Sequence, residues 1–173
     1  TRFVKRTPAG ANTNWFAPSE IIADRFEIIA LIGQGGMGDV YEAKDLHLGE
    51  HVALKTIRPE FASDERMVAH FKQEILLAKK VTHPNVCRIY DVGFDLSNGR
   101  SSSGTRVFLT MELLRGKTLS SRLRNGPMTE AEALPIVRQM SEGLHAAHQA
   151  GVVHRDFKSA NVLLTTLNGG RTR

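Results

Sequence analysis

The segment from His154 to Asn161 brings an acid, a lysine and a carboxamide together within six positions. Transfer of a phosphoryl group to a hydroxyl needs a proton acceptor, a positive charge beside the moving phosphate and an oxygen ligand for magnesium. Asp156, Lys158 and Asn161 have side chains suited to these three tasks, in that order. So short a match also fits a polar loop before a strand, with Asp156 making turn hydrogen bonds. The rest of the chain favours the phosphoryl-transfer site.

A glycine-rich segment at residues 33–38 follows the first predicted strand. Glycine lacks a Cβ atom, so the backbone amides of such a segment can approach a phosphate closely. A similar pattern opens a helix in dinucleotide-binding folds, and it also occurs in plain glycine-rich hairpins. Here residues 40–43 and 52–54 have the pattern of paired strands, which predicts a β-hairpin and disfavours the dinucleotide-binding fold.

The sequence offers a candidate internal ion pair, formed by a lysine on a predicted strand and a glutamate on a predicted helix. Strand alternation puts Lys55 on the same face as Ala53. Glu74 falls on the apolar stripe of the helix predicted at residues 64–80, where a carboxylate needs a partner. Lys55 is a suitable one. The alternatives are an exposed strand lysine and a glutamate at the edge of the stripe that reaches water.

Composition and charge narrow the function classes. With 173 residues and 41% hydrophobic content, the chain is large enough and apolar enough to bury a core. The net charge of +5 equals the number of basic residues in the two end segments, and the remaining 18 basic residues balance the 18 acidic ones. A basic face for nucleic acid is therefore not indicated, and we expect no nucleic-acid partner.

Cysteine content and hydropathy bear on the compartment. Cys87 is the only cysteine, which excludes an internal disulfide, and its apolar neighbours predict a buried side chain in a reducing, intracellular setting. No apolar run approaches the about 18 residues of a membrane span, and residues 1–20 lack a signal-peptide segment. We expect a cytoplasmic location, with an anchor elsewhere in a longer parent left open.

The patterns along the chain predict strands first and helices later. Residues 1–24 have the composition of a flexible leader, in which Trp15 and Phe16 are either docked or exposed. A capping box at Thr129 and Glu132 predicts the start of a long helix. Strands are predicted at residues 26–32, 40–43, 51–57, 86–92, 107–111 and 162–164, and helices at 64–80, 118–124 and 129–150.

In this order and spacing, these segments resemble the eukaryotic-type protein kinases, and most closely the serine/threonine kinases of bacteria. The resemblance runs from about Phe26 to Leu164 and also includes the segments at residues 83–85 and 111–114. It implies an α+β, two-lobed kinase fold. The N-lobe, with five antiparallel strands, one helix and the hinge, would span residues 25–114, and part of a mainly helical C-lobe would span residues 115–173.

The resemblance also implies the roles of single residues. Lys55 would hold the α and β phosphates of ATP while Glu74 fixes it, and Met111 would be the gatekeeper. The adenine would meet backbone groups of Glu112 and Leu114. The implied ATP-binding positions are Ile32, Gly33, Gln34, Gly35, Gly36, Met37, Gly38, Asp39, Val40, Ala53, Lys55, Glu74, Met111, Glu112 and Leu114.

For the catalytic segment, the resemblance implies that Asp156 orients the substrate hydroxyl and accepts its proton. Lys158 would steady the γ-phosphate, and Asn161 would bind Mg²⁺. A lysine two places after Asp156 favours serine or threonine over tyrosine as the acceptor.

The family also requires an Asp-Phe-Gly segment, which is not found before Arg173. The pair at residues 168–169 has the pattern of a hairpin turn after the strand predicted at 162–164. We therefore expect the 173-residue chain alone to be inactive. The parent protein is expected to transfer the γ-phosphate of ATP to serine or threonine hydroxyls of a protein substrate, with ATP and Mg²⁺. The alternative is a non-catalytic nucleotide-binding or scaffolding module, either a pseudokinase or a truncated kinase.

Overall fold

A computed structural model describes residues 15–35, 38–57, 73, 75–95 and 106–165 of the chain. Over that part of the chain a β-sheet comes first and a helical region follows. In chain order the elements are β1 (Ile21–Ile22), β2 (Phe26–Gly35), β3 (Gly38–Asp45), β4 (His51–Ile57), β5 (Ile89–Asp95), β6 (Arg106–Met111), β7 (Gly116–Thr118), α1 (Leu119–Leu123), α2 (Glu130–Gln149), the 3₁₀ turn Ser159–Asn161 and β8 (Leu163–Thr165).

The first six strands form one antiparallel sheet in the order β1-β2-β3-β4-β6-β5. β2 and β3 pair up to Gly35 opposite Gly38, so the glycine-rich segment closes a hairpin, as predicted. β4 lies between β3 and β6, where both of its edges are hydrogen-bonded. Successive side chains of a strand point to opposite faces, so β4 contributes side chains to both faces of the sheet.

One face of the sheet carries the hydrophobic core. Val52 and Leu54 of β4 point to this side, and the rings of Phe26 and Phe108 pack edge to face with centroids 5.7 Å apart. Full burial of a large apolar side chain contributes about 1.5 to 3 kcal/mol. The core residues are Phe16, Ile22, Phe26, Ile28, Tyr41, Ala43, Val52, Leu54 and Phe108.

Residues 15–24 belong to this packed unit, so their assignment to a flexible leader is wrong. Phe16 and Ile22 are 1% and 0% exposed, and β1 adds a sixth strand to the five expected. Of the two alternatives for Phe16, the docked one is correct. Composition averaged over the whole leader hid these few apolar residues, because the segment around them is rich in proline, glycine and asparagine. Residues 1–14 lie outside the described part.

The region between β4 and β6 departs from the prediction in two ways. β5 begins at Ile89, three residues later than expected, because the preceding residues form a turn in which the Val86 amide donates to the His83 carbonyl at 3.0 Å. Cys87 lies before the strand and is exposed, so the expectation of a buried thiol is wrong. Of the helix predicted at 64–80, residues 75–78 are helical and 79–80 form a turn, while most of its remainder lies outside the described residues.

The helical region follows the predicted capping signals. Thr118 caps α1 through its side chain, and Thr129 and Glu132 form the predicted capping box at the start of α2. α2 runs through Pro135 to Gln149. Neither helix has the combination of length and apolar character that a membrane span requires, among the residues described.

A second, two-stranded sheet joins the two ends of the helical region. β7 pairs antiparallel with β8, from Gly116 opposite Thr165 to Thr118 opposite Leu163. β7 was not predicted, because three residues are too few for a periodic pattern. The turn predicted at residues 168–169 lies outside the described part. β8 follows the predicted catalytic segment in the chain. Its pairing with β7 therefore brings residues 116–118, which follow the main sheet, close to that segment.

Candidate active site

Two of the predicted catalytic side chains, those of Lys158 and Asn161, lie within hydrogen-bond distance of the third, Asp156. Lys158 Nζ is 2.9 Å from Asp156 Oδ1. The Asn161 carboxamide nitrogen donates to the Asp156 main-chain oxygen at 2.8 Å and to Asp156 Oδ2 at 3.0 Å. The 3₁₀ turn Ser159–Asn161, in which the Asn161 amide donates to the Lys158 carbonyl at 2.9 Å, places Asn161 beside Asp156. Local backbone geometry therefore assembles this cluster.

The backbone just before the cluster has an uncommon conformation. Arg155 has φ of 57°, in the left-handed region, which L-residues other than glycine rarely adopt. The next amide, that of Asp156, donates to the His154 carbonyl at 2.7 Å, and the rings of His154 and Phe157 pack edge to face at 5.4 Å. Strained backbone of this kind clusters at functional sites, where the surrounding structure maintains it.

The electrostatics of the cluster keep Asp156 ionised. Hydrogen bonds from Lys158, and next from Asn161, lower the pKa of Asp156 below its ordinary value. Its carboxylate stays 44% exposed, so an incoming hydroxyl can reach it. An ionised carboxylate is a hydrogen-bond acceptor only, which suits the orientation of a substrate hydroxyl.

Asn161 has a side-chain carbonyl oxygen of the kind that binds magnesium. Its nitrogen makes both of its hydrogen bonds to Asp156, which leaves its carbonyl oxygen for another partner. Among the described residues, no three histidine, cysteine, aspartate or glutamate side chains gather into a metal site. Magnesium commonly takes only one or two protein ligands and completes its shell with phosphate oxygens and water. One oxygen from Asn161 fits that pattern.

The glycine hairpin and Lys55 lie side by side on the sheet. In the hairpin, Gly33 faces Val40 and Gln34 faces Asp39. Val40 in turn faces Lys55 across the β3–β4 ladder, so both side chains point to the same face of the sheet. Gly36, Met37 and Glu74 lie outside the described residues. The pairing of Lys55 with Glu74 thus stays a prediction.

The predicted adenine-binding residues follow on the same face. Ala53 faces Met111 across the β4–β6 ladder, and Ala53 is 5% exposed while Met111 is half-buried. Glu112 and Leu114, which follow β6, are half-buried as well. The Glu112 amide donates to the Arg88 carbonyl at 2.8 Å, which fixes the strand end. Ile32, on the hairpin, is 47% exposed.

Sequence reasoning missed an ion cluster beside this face. Glu42 faces Ala53 in the ladder, and its Oε1 accepts from Arg115 Nη2 at 2.9 Å and is 2.7 Å from His51 Nδ1. Arg115 directly follows the four residues of the predicted hinge. Strand alternation in the sequence puts Glu42 on the same face as Val40, which was a signal for its position. Its partner Arg115 could not be identified in this way, because it lies 73 residues away in the chain.

Comparison with known proteins gives consistent results. The sequence profile of the family described as Protein kinase domain matches residues 26–170. Serine/threonine-protein kinase pkn2 of Myxococcus xanthus is 38% identical over 150 residues, which are 86% of this chain and 17% of that protein. Serine/threonine-protein kinase PknA of Mycobacterium tuberculosis is 38% identical over 145 residues, 83% of this chain and 33% of that protein. The chain thus spans a third or less of the length of these relatives.

The fold comparison agrees with the sequence comparison. The crystal structure of the Mycobacterium tuberculosis PknI kinase domain has a TM-score of 0.75 and 25% identity, and the match covers 91% of this chain and 60% of that one. This similarity confirms the predicted kinase fold, with one more strand in the main sheet than expected. Because the family profile matches most of its length, the chain belongs to the eukaryotic-type protein kinase domain family.

Proposed function

We propose that the protein containing this chain transfers the γ-phosphate of ATP to serine or threonine hydroxyls of protein substrates. The observation that carries this proposal is the assembled cluster of Asp156, Lys158 and Asn161, found on a chain of the protein kinase family. The curated relatives carry the name serine/threonine-protein kinase. ATP is the phosphate donor, so we place the reaction in the cytoplasm.

In the proposed reaction, the substrate hydroxyl donates a hydrogen bond to Asp156. Its oxygen attacks the γ-phosphorus as the bond from that phosphorus to the β-phosphate oxygen breaks. The hydroxyl proton passes to the Asp156 carboxylate, and ADP leaves. Lys158, held 2.9 Å from Asp156, is close enough to the same centre to offset the charge on the γ-phosphate.

The other end of ATP would be held by the sheet. The glycine hairpin lies over the phosphates, Lys55 binds the α and β phosphates, and the adenine packs beside Ala53 and Met111. When bound, Mg²⁺ neutralises phosphate charge, and Asn161 would supply its protein oxygen. The family relies on a divalent metal ion in general, and Mg²⁺ is our specific proposal.

The lysine substitution Lys55→Met tests the proposal in the full protein that carries this chain. We expect transfer of labelled γ-phosphate to a mixed serine/threonine peptide library to be abolished, with the melting temperature unchanged. Lys44→Met, the same substitution at the far end of β3, is the matched control and should retain transfer. Retained activity in Lys55→Met would show that the phosphate-binding lysine lies elsewhere.

A second substitution separates the enzyme from the pseudokinase. Asp156→Asn should lower kcat by a factor of about 10² to 10⁴, the usual contribution of a positioned proton acceptor, while ATP still binds. If the unsubstituted protein binds ATP but transfers no phosphate at any magnesium concentration, the pseudokinase alternative is correct. If only phosphotyrosine forms, the proposed acceptor class is wrong.

A further inference from the structure

Residues 15–24, the N-terminal strap, include the edge strand β1 and pack side chains on the core face of the sheet, opposite the face that carries Lys55. Phe16 and Ile22 are buried in the same core as the sheet residues. The Ser19 amide donates to the Ile28 carbonyl at 2.7 Å, and the Ile28 amide donates to the Glu20 carbonyl at 2.9 Å. Both side chains and main chain therefore fix the strap to β2.

Arg106, at the start of β6, also holds the strap. Its Nη1 donates to Glu20 Oε1 at 2.9 Å and to the Trp15 carbonyl at 3.4 Å, and its guanidinium lies 4.6 Å from the centre of the Phe16 ring. Its Nε donates to Asp95 Oδ2 at 2.9 Å, and that aspartate side chain is 1% exposed. Charge-assisted hydrogen bonds in such a buried setting are stronger than those between neutral groups.

One side chain connects the strap with the glycine hairpin. The Phe16 amide donates to the Tyr41 hydroxyl at 3.3 Å, and the two rings pack at 5.4 Å. The Tyr41 hydroxyl in turn donates a long hydrogen bond of 3.5 Å to Asp39 Oδ2. Asp39 and Tyr41 are two residues apart on β3, so their side chains share the core face. The strap therefore reaches Asp39 through Tyr41.

Asp39 is part of the hairpin itself. It faces Gln34 in the ladder and directly follows Gly38. Its amide donates to Thr56 Oγ1 at 2.9 Å, and that hydroxyl donates to the Asp39 carbonyl at 3.2 Å. The residue is 8% exposed, so the loss of a donor to its carboxylate is costly. A shift of Asp39 would displace the start of β3, where Gly38 lies, and the paired end of β2, where Gly33 and Gly35 lie.

We propose that Phe16 and Tyr41 are positioning residues for the glycine hairpin. The strap packs against the Tyr41 ring through Phe16, and the Tyr41 hydroxyl donates a hydrogen bond to Asp39. Asp39 in turn fixes the position of the hairpin over the ATP phosphates. This inference rests on the proposed function, in which the hairpin binds ATP. It adds that contacts on the core face of the sheet set the affinity for the nucleotide. It predicts that changes in the strap alter ATP binding more than the transfer step.

The test is Tyr41→Phe in the full protein, because this substitution removes the hydroxyl and keeps the buried ring. We expect the Kd and KM for ATP to rise about five- to tenfold, with kcat changed less than about twofold. Hydrogen exchange of the amides of residues 33–40 should become faster. Phe16→Leu should shift the ATP affinity in the same direction, and the double variant should add little, because both act through Asp39.

The matched control is Phe26→Leu, in the same core, since the Phe26 ring contacts Phe108 and has no hydrogen bond to the hairpin. It should lower the melting temperature and leave the Kd for ATP unchanged. An unchanged Kd in Tyr41→Phe would overturn the inference, as would an equal rise in Phe26→Leu. Kd is measured by nucleotide titration, so the result does not depend on transfer. Absence of transfer in the unsubstituted protein would refute only the proposed function.

Discussion

Gly38→Ala is predicted to destabilise the protein more than any other glycine substitution in the hairpin's described part. Gly38 has φ of +146°, in a region that residues with a Cβ rarely adopt. A Cβ atom there would lie 2.0 Å from the Thr56 carbonyl oxygen and 2.9 Å from its carbon. Both atoms belong to the backbone of β4, so no side chain can rotate away to make room. The β3–β4 ladder must open at this point.

The magnitude follows from two separate costs. A non-glycine residue at such a φ costs about 1 to 3 kcal/mol. Forcing a methyl group into a packed site costs about another 1 to 3 kcal/mol. The free energy of unfolding should therefore fall by about 2 to 6 kcal/mol, against a total of about 5 to 15 kcal/mol for a typical protein.

Two other glycines separate these costs. Gly49→Ala has the positive φ of +73° but no heavy atom within 4 Å, so it should show the conformational cost alone, about 1 to 2 kcal/mol. Gly33→Ala would place its Cβ 3.7 Å from Val40 Cβ, an ordinary contact, and should change stability least.

The measurement is urea denaturation of the three variants of the full protein, followed by ATP titration. We expect the order of destabilisation to be Gly38→Ala, Gly49→Ala, Gly33→Ala, with weakened ATP binding in the first. If Gly38→Ala unfolds at the same urea concentration as Gly49→Ala, the close approach to Thr56 contributes nothing and the reasoning fails.

Three further predictions concern ion pairs and a helix cap. Asp45→Asn should lower the free energy of unfolding at pH 7 by about 2 kcal/mol, because the Arg25 hydrogen bonds lower the pKa of this buried carboxyl. The difference from the unsubstituted protein should be fully present above the unfolded-state pKa of about 3.9 and disappear as the pH falls through the lower folded-state pKa, in urea denaturation at several pH values; a difference that persists at the lowest pH would contradict this. Thr129→Ala should cost about 1 kcal/mol in thermal unfolding through loss of the capping box, and an unchanged melting temperature would contradict it. Arg115→Ala should cost less than about 1 kcal/mol, since its side chain is 74% exposed, and the loss should vanish in high salt; a salt-independent loss would point to packing instead of the ion pair with Glu42.

The proximity of the three proposed catalytic residues could be predicted from sequence because their geometry is local. Asp156, Lys158 and Asn161 lie within six positions, and one 3₁₀ turn is enough to bring them together. The bounds of β4 were predicted to the residue, because both of its ends are marked by turn residues and polar positions. The ends of α2 were predicted to within one residue, since Thr129 and Gly151 mark them chemically.

The features that sequence missed depend on contacts between distant parts of the chain. Phe16 is buried through Tyr41 and Arg106, which are 25 and 90 residues further along the chain. Glu42 is paired with Arg115 across a comparable distance. Cys87 was predicted to be buried from its apolar neighbours, but the turn before β5 leaves it exposed. None of these pairings leaves a periodic pattern in the sequence.

The two halves of the proposed site therefore differ in what holds them. The catalytic cluster is exposed, with Lys158 at 55% and Asp156 at 44%, and it is fixed by its own local hydrogen bonds. The glycine hairpin is fixed from behind by a buried core and by Asp39 and Tyr41. Substitutions in the cluster should accordingly change transfer with little effect on unfolding, because few buried contacts are lost. Substitutions at Phe16 or Tyr41 should accordingly change stability and ATP affinity together, whereas Phe26→Leu, in the same core but without a hydrogen bond to Asp39, should change stability alone.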